Sequence, residues 1–275
     1  MSLYVASLNS GSNGNCYYVG NEHDAVLVDA GLACKEIERR LLSLQLKVSN
    51  IKAIVVSHEH IDHVRGLAGL SIKYQIPVYV TKATMQGCYH LKDTPIVHFE
   101  KNDTFNIGTL QIKAFAKYHD AADPTSFNIT YNAVTVGVYT DIGKVCNNVI
   151  KHFKQCHAVI LEANYDTAML ANGKYPIFLQ DRIRGGNGHL SNTEAFNLFI
   201  QHRTPKLTHI ILAHLSKDNN DATLVQQLFE QKAEGVQISV ASRLKPTTLY
   251  HIGATYHKKR KSKPKYVHEL QLSLF

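Results

Sequence analysis

Three imidazoles and the Asp62 carboxylate, all able to bind a divalent cation, stand within six residues at His58-Glu59-His60-Ile61-Asp62-His63. Imidazole and carboxylate are good ligands for Zn²⁺, Mn²⁺ and Fe²⁺. His58, His60, Asp62 and His63 can point in two directions and so serve two ions. They cannot fill two coordination shells alone, and further donors must come from elsewhere in the chain. His119 in AKYHDAADPTSF, Asp141 in VYTDIG and His214 in LAHLSKDNN are the candidates. Each has a plainer reading taken singly: a loop histidine, a turn former before Gly143, a hydrogen-bonded histidine closing a strand. Taken together they favour ligation.

Such donors need elements that deliver them to one place. KAIVVSH, residues 52–58, reads as a buried strand running straight into the histidine-rich loop. YVASLN, YYVG and AVLVDAG form an N-terminal meander, and PVYVT is a further strand. TFNIGTLQIKAFA reads as a hairpin turning at Asn106–Gly108. AVTVGVYTD, AVILEAN, THIILAH and VQISVAS are further buried strands. CKEIERRLLSLQL carries Ile37, Leu41, Leu42 and Leu44 at helical spacing, and SNTE at Ser191–Glu194 is a capping box opening a helix over 192–202. The alternation predicts a layered α/β fold. Strand after strand ends on a potential ligand: Asp29, His58, His119, Asp141, Glu162 and His214. That places them at one mouth, where function concentrates.

Composition narrows the class. With 44% hydrophobic and 19% charged residues the 275-residue chain is an ordinary globular protein. No apolar run approaches the roughly 20 residues that cross a bilayer, and MSLYVASLNSGSNGN shows neither a basic leader nor an apolar signal core, so export is not expected. Five cysteines without CxxC spacing read as reduced thiols, so a cytoplasmic protein is expected. Net charge is +8, of which Lys258, Lys259, Arg260, Lys261, Lys263 and Lys265 supply six, leaving +2 on the remainder. Residues 1–252 are therefore expected to form one domain, and 253–275 a basic, flexible tail.

HEHIDH followed by a strand-end histidine, TDIG and LAHLS resembles the metallo-β-lactamase-fold hydrolases over about residues 1–245. GSNGNCYYV, HDAADP, LEANYD, GHLSN and LAHLSKDNN are similar to the YycJ-type branch of bacterial 5′ exonucleases. The resemblance implies a four-layer αββα sandwich. It implies that His58, His60 and His119 hold one metal, that Asp62, His63 and His214 hold a second, and that Asp141 bridges them. Asp29 matches the carboxylate that orients the loop from behind. Glu59 departs from the small hydroxyl residue common in such sequences without touching a ligand position.

Two divalent ions, Zn²⁺ or Mn²⁺ and also Fe²⁺, about 3.5–4 Å apart would activate a shared water and hold a phosphate oxygen, with Asp62 accepting the proton. His189 in GNGHLSN is equally a general acid or phosphate contact and a histidine that merely begins a helix. Ser12 and Asn13, in a glycine-flanked loop, and Asn164 are candidate substrate contacts. Arg182 and Arg184, in QDRIRGGNG, read as a flexible basic loop that grips phosphate or is simply solvated.

The chain closes on QLSLF, which looks like the peptide by which bacterial DNA enzymes dock on the replication sliding clamp. Gln271 would orient it by hydrogen bonds, while Leu272, Leu274 and Phe275 anchor in an apolar groove. The alternative is a half-buried edge strand. The expected activity is a two-metal 5′ to 3′ DNA exonuclease acting in replication or repair. An RNA-processing nuclease, a small-ester or lactam hydrolase and a non-catalytic clamp adaptor are the rivals. Only 73 positions separate Asp141 from His214, too few for the extra domain that many ribonuclease relatives carry.

Overall fold

The computed structural model describes residues 2–88, 91 and 93–253. The basic run and Gln271, Leu272, Leu274 and Phe275 lie outside the described residues.

Two seven-stranded sheets face each other. The first takes β1 (Ser2–Asn9), β2 (Cys16–Gly20), β3 (Ala25–Val28), β4 (Ile51–Val55), β5 (Val78–Val80) and β6 (Ile96–His98) in sequence order. The second takes β7 (Thr104–Ile107), β8 (Leu110–Ala116), β9 (Thr125–Tyr131), β10 (Val134–Tyr139), β11 (Ala158–Glu162), β12 (His209–Ala213) and β13 (Gln237–Val240). β14 (Tyr250–Gly253) returns to the first sheet and pairs antiparallel with β1.

Strands buried on both faces read as unbroken apolar runs, and their alternation appears only in what each face touches. Val26 and Val28 of β3 join the core between the sheets, whereas Ala25 and Leu27 face outward. Ala158 and Ile160 of β11 point in, and Val159 and Leu161 point out. The outward face of the first sheet is covered by α1 (Cys34–Ser43) and α3 (Leu67–Tyr74) through Ile37, Leu41, Leu67 and Leu70. Short α2 (Ile61–Val64) and α4 (Lys82–Gln86) also lie in this half. The second sheet is covered by α5 (Asn147–Phe153), α8 (Asn192–His202) and α9 (Ala222–Glu230) through Phe153, Phe199 and Phe229. α6 (Thr167–Ala171) and α7 (Ile177–Arg184) lie between β11 and α8. The result is the expected αββα sandwich.

Several details differ from expectation. QDRIRGG is not a loop, because Gln180 to Arg184 form the end of α7. The hairpin turns one step later, at Gly108–Thr109, since Ile107 pairs with Leu110. Gly108 has φ +55, a left-handed conformation that glycine adopts without strain. β13 is a partly exposed edge strand rather than a buried one. Leu42 is 75% exposed although Ile37 and Leu41 are buried, so α1 offers a narrower apolar stripe than its leucines suggest.

β3 to β6 run parallel, as do β10 to β13. Parallel strands present their carboxyl ends together, and ligands gather in the crevice beyond them.

Candidate metal centre

The loop after β4 is fixed from behind by Asp29, which directly follows β3. Its Oδ1 accepts from the Ser57 N–H at 2.7 Å, and its Oδ2 accepts from Ser57 Oγ at 2.8 Å and His63 Nδ1 at 2.7 Å. One buried carboxylate thus ties both ends of the histidine-rich segment to the neighbouring strand. Asp29, Asp141 and His214 all have positive φ, at 62°, 54° and 56°. Side chains held in that region cost of order 1–3 kcal/mol each, and such strain collects at functional sites.

His58 Nε2 lies 3.1 Å from His60 Nδ1, and with His119 these rings gather ligand atoms within 4.8 Å of one another. Asp62, His63 and His214 form a second such group. Asp141 stands between: its Oδ2 is 3.3 Å from His63 Nε2, and its Oδ1 is 3.5 Å from His214 Nε2 and 3.9 Å from His119 Nε2. Asp62 Oδ2 is 3.7 Å from both His63 Nε2 and His214 Nε2.

The far nitrogens of the rings are occupied. His119 Nδ1 donates to the Gly188 carbonyl at 3.0 Å, and His214 Nδ1 donates to Glu162 Oε1 at 3.1 Å. A proton held there leaves Nε2 as a lone pair aimed at the centre. Among the described residues His119 Nε2, His214 Nε2 and Asp141 Oδ2 are buried without a hydrogen-bond partner. Buried acceptors without donors cost free energy, and this donor set, imidazoles and carboxylates without a thiolate, fits divalent cations.

The electrostatics agree. Burial pulls the His119 imidazole down to about 4 and holds His58 well below its usual range. Burial would raise Asp141, but His214 and His63 outweigh it and keep its carboxyl well below normal. Neutral imidazole and ionised carboxylate are the coordinating forms. The exceptions are His63 and His214. At His63 burial is outweighed by Asp141 and Asp29, which raise it to about 10. At His214 burial is outweighed by Asp141, Asp62 and Glu162, which hold it well above its usual range; cations would take the place of those protons.

Beside these groups opens a cleft of about 320 Å³, lined by Ser12, His60, Asp62, His119, Asp141, Asn164, Arg182 and His189 among others. His189 Nδ1 donates to Glu162 Oε1 at 2.8 Å, leaving Nε2 for the cleft. Asn164 donates to the His214 carbonyl at 2.7 Å, so it braces a strand end as well as lining the wall. Arg182 Nε donates to Asp120 Oδ2 at 2.7 Å at the rim. Asn13 and Arg184 are not brought to the cleft. Asn13 donates to the Arg243 carbonyl at 3.0 Å, and Arg184 Nε donates to Asp181 at 3.0 Å. Glu59 Oε1 accepts from the Ala122 N–H at 2.8 Å, clasping the loop that follows His119.

Two residues take supporting roles that the sequence reading did not assign to them. Asn15 is fully buried; its Nδ2 donates to Asp62 Oδ2 at 3.2 Å and lies 3.0 Å from His63 Nε2. Glu162, read from the sequence as a potential ligand at a strand end, is fully buried. It joins His189, His214 and the Ile142 N–H, the last at 2.6 Å. Burial would raise its carboxyl, but His189 and then His214 hold it at about 2. GSNGN and LEANYD hint at these residues only as polar groups bounding strands.

Comparison with known proteins gives the family. The model for the beta-lactamase superfamily domain matches residues 24–214. Exodeoxyribonuclease YycJ of Bacillus anthracis is 36% identical over 245 residues, covering 86% of this chain and 92% of that protein. Exodeoxyribonuclease WalJ of Streptococcus pneumoniae is 33% identical over 232 residues, covering 80% of this chain and 86% of that protein. Among solved structures, the metallo-beta-lactamase fold protein YhfI from Bacillus subtilis superposes with a TM-score of 0.72 at 16% identity, over 91% of this chain and 100% of that one. Human tRNase Z, short form, gives 0.63 at 16% identity, over 89% and 98%. Structural likeness at such identity speaks for the fold alone; the family model and the curated relatives carry the rest. The chain belongs to the beta-lactamase superfamily, as a YycJ-like metal-dependent hydrolase of the metallo-β-lactamase fold.

Proposed function

We propose that the protein is a two-metal 5′ to 3′ DNA exonuclease of replication or repair. The observation that carries this is the pair of ligand clusters meeting at Asp141, in a chain 36% identical to an exodeoxyribonuclease. His58, His60 and His119 would hold one divalent ion, and Asp62, His63 and His214 the other, with Asp141 shared. Bound there, Zn²⁺, Mn²⁺ or Fe²⁺ would supply Lewis-acid activation of water and charge neutralisation at a phosphate.

The chain's own residues do the rest. Asp62, held by Asn15, accepts the proton of the attacking water. His189, anchored through Nδ1–H by Glu162, gives the leaving sugar oxygen a proton from Nε2 when the ring carries a proton on both nitrogens. Ser12 and Arg182 line the cleft and meet the phosphate, while Asn164 keeps His214 in place. The tail adds a second part: Gln271, Leu272, Leu274 and Phe275 dock on the bacterial sliding clamp, raising the local concentration of DNA, and the protein works in the cytoplasm.

The test incubates the protein with Mn²⁺ or Zn²⁺ and 5′-labelled duplex DNA, single-stranded DNA, RNA or a lactam, beside an Asp62→Ala/His63→Ala control. Metal-dependent release of nucleotides from DNA ends is expected. Degradation of RNA alone, or of the lactam alone, overturns the DNA reading.

A further inference from the structure

α7 is the one α-helix of the described residues in which no residue is buried; every other keeps at least one buried side chain. It also exposes its first two residues, Ile177 at 73% and Phe178 at 74%. A soluble helix normally hides its large apolar groups against something. Leu179, Arg182 and Ile183 of the same helix form a wall of the catalytic cleft. The C-terminal turn is pinned to the site, because the His189 N–H donates to the Ile183 carbonyl at 2.8 Å.

Phe178 and Arg182 stand four residues apart, and so share one face of the helix. The Arg182 side chain is 62% exposed while Asp120 steadies it at 2.6 Å. An exposed aromatic ring and an exposed guanidinium one turn apart, at the rim of a cleft built for phosphodiester chemistry, match what unpaired nucleic acid requires. Bases stack on the ring, and the backbone phosphate meets the cation. We infer that α7 is a stacking platform for the unpaired bases at the end of a nucleic-acid strand, with Phe178 as its aromatic face and Arg182 as its phosphate contact. This rests on the nuclease reading above and assigns it a substrate form, a frayed or single-stranded end rather than a closed duplex.

The test compares the Mn²⁺-loaded full chain with Phe178→Ala and Phe178→Trp on a single-stranded oligonucleotide and on the same strand abasic at its first three positions. Phe178→Ala should lower kcat/KM on the normal strand by about 5- to 150-fold, through KM, as loss of one base–aromatic stack gives. Phe178→Trp should restore it, and the abasic strand should not distinguish the variants. Equal rates on the normal strand overturn the platform. So does an equal fall on both strands, which would make Phe178 a mere wall. A dimer that becomes monomeric in Phe178→Ala with DNA cleavage unaltered would give this face to a second copy of the chain. Wild-type protein that hydrolyses bis(p-nitrophenyl) phosphate but no nucleic acid would remove the nuclease reading itself, and the platform with it.

Discussion

At the scale of residues, the site divides into groups that announce themselves and groups that do not. HEHIDH declares its chemistry because three imidazoles and the Asp62 carboxylate fall in six positions, and His119, Asp141 and His214 follow because each reads as closing a strand. Asn15 and Glu162 stay silent because what they do depends on partners far along the chain. Asn15 meets Asp62 across 47 positions, and Glu162 meets His214 across 52. Asn13, their neighbour in type, instead stitches the loop to the Arg243 carbonyl. If Asn15 aims Asp62 and His63, then Asn15→Ala should weaken metal binding by about 10- to 100-fold, the usual cost of losing an outer partner of a ligand. Isothermal titration with Mn²⁺ checks this, and unchanged affinity would reduce Asn15 to a packing residue.

At the scale of elements, the buried strands were legible where they are apolar on both faces, as in β4, β10 and β11. β9 was not, because its sequence TSFNITY alternates polar residues into a buried environment. Phe127 and Ile129 face the core between the sheets, but Asn128 turns outward among apolar groups, where its Oδ1 accepts from Tyr139 and its Nδ2 donates to the His152 carbonyl. Hydrogen bonding, not hydrophobicity, makes it tolerable there. α7 was hidden for the opposite reason: without a buried stripe it has no period to read. His152 on α5 gives a test of this layer. Its buried ring stacks on Phe115 at 4.2 Å, and burial, then Lys151 and Lys113, pulls it down to about 4. The unfolded value is near 6.5, so below it the unfolded chain binds the extra proton and the folded one resists it. The stability this neutral ring contributes is therefore full above about 6.5 and lost as pH falls toward 4. Melting curves at pH 7.5 and pH 5 should show a smaller drop for His152→Phe than for the wild type. Equal drops would contradict the assignment.

At the scale of the whole molecule, the two sheets each bring half of the centre. Loops after β3 and β4 supply Asp29 and the histidine-rich segment, while β8, β10 and β12 deliver His119, Asp141 and His214. Charge is divided differently, with six of eight net positive charges in residues 258–265 and little excess elsewhere. Removing 258–275 should thus reduce the slope of log affinity for duplex DNA against log salt by up to about 5, with the cleavage rate at saturating DNA preserved. An unchanged slope would mean that the body, not the tail, holds the backbone. The central claim remains that both halves close around a shared pair of cations, and anomalous diffraction from Mn²⁺-soaked crystals tests it most directly. Two peaks about 3.5–4 Å apart are expected on either side of Asp141, one within reach of His58, His60 and His119 and the other of Asp62, His63 and His214. A single peak, or none among these side chains, would contradict it.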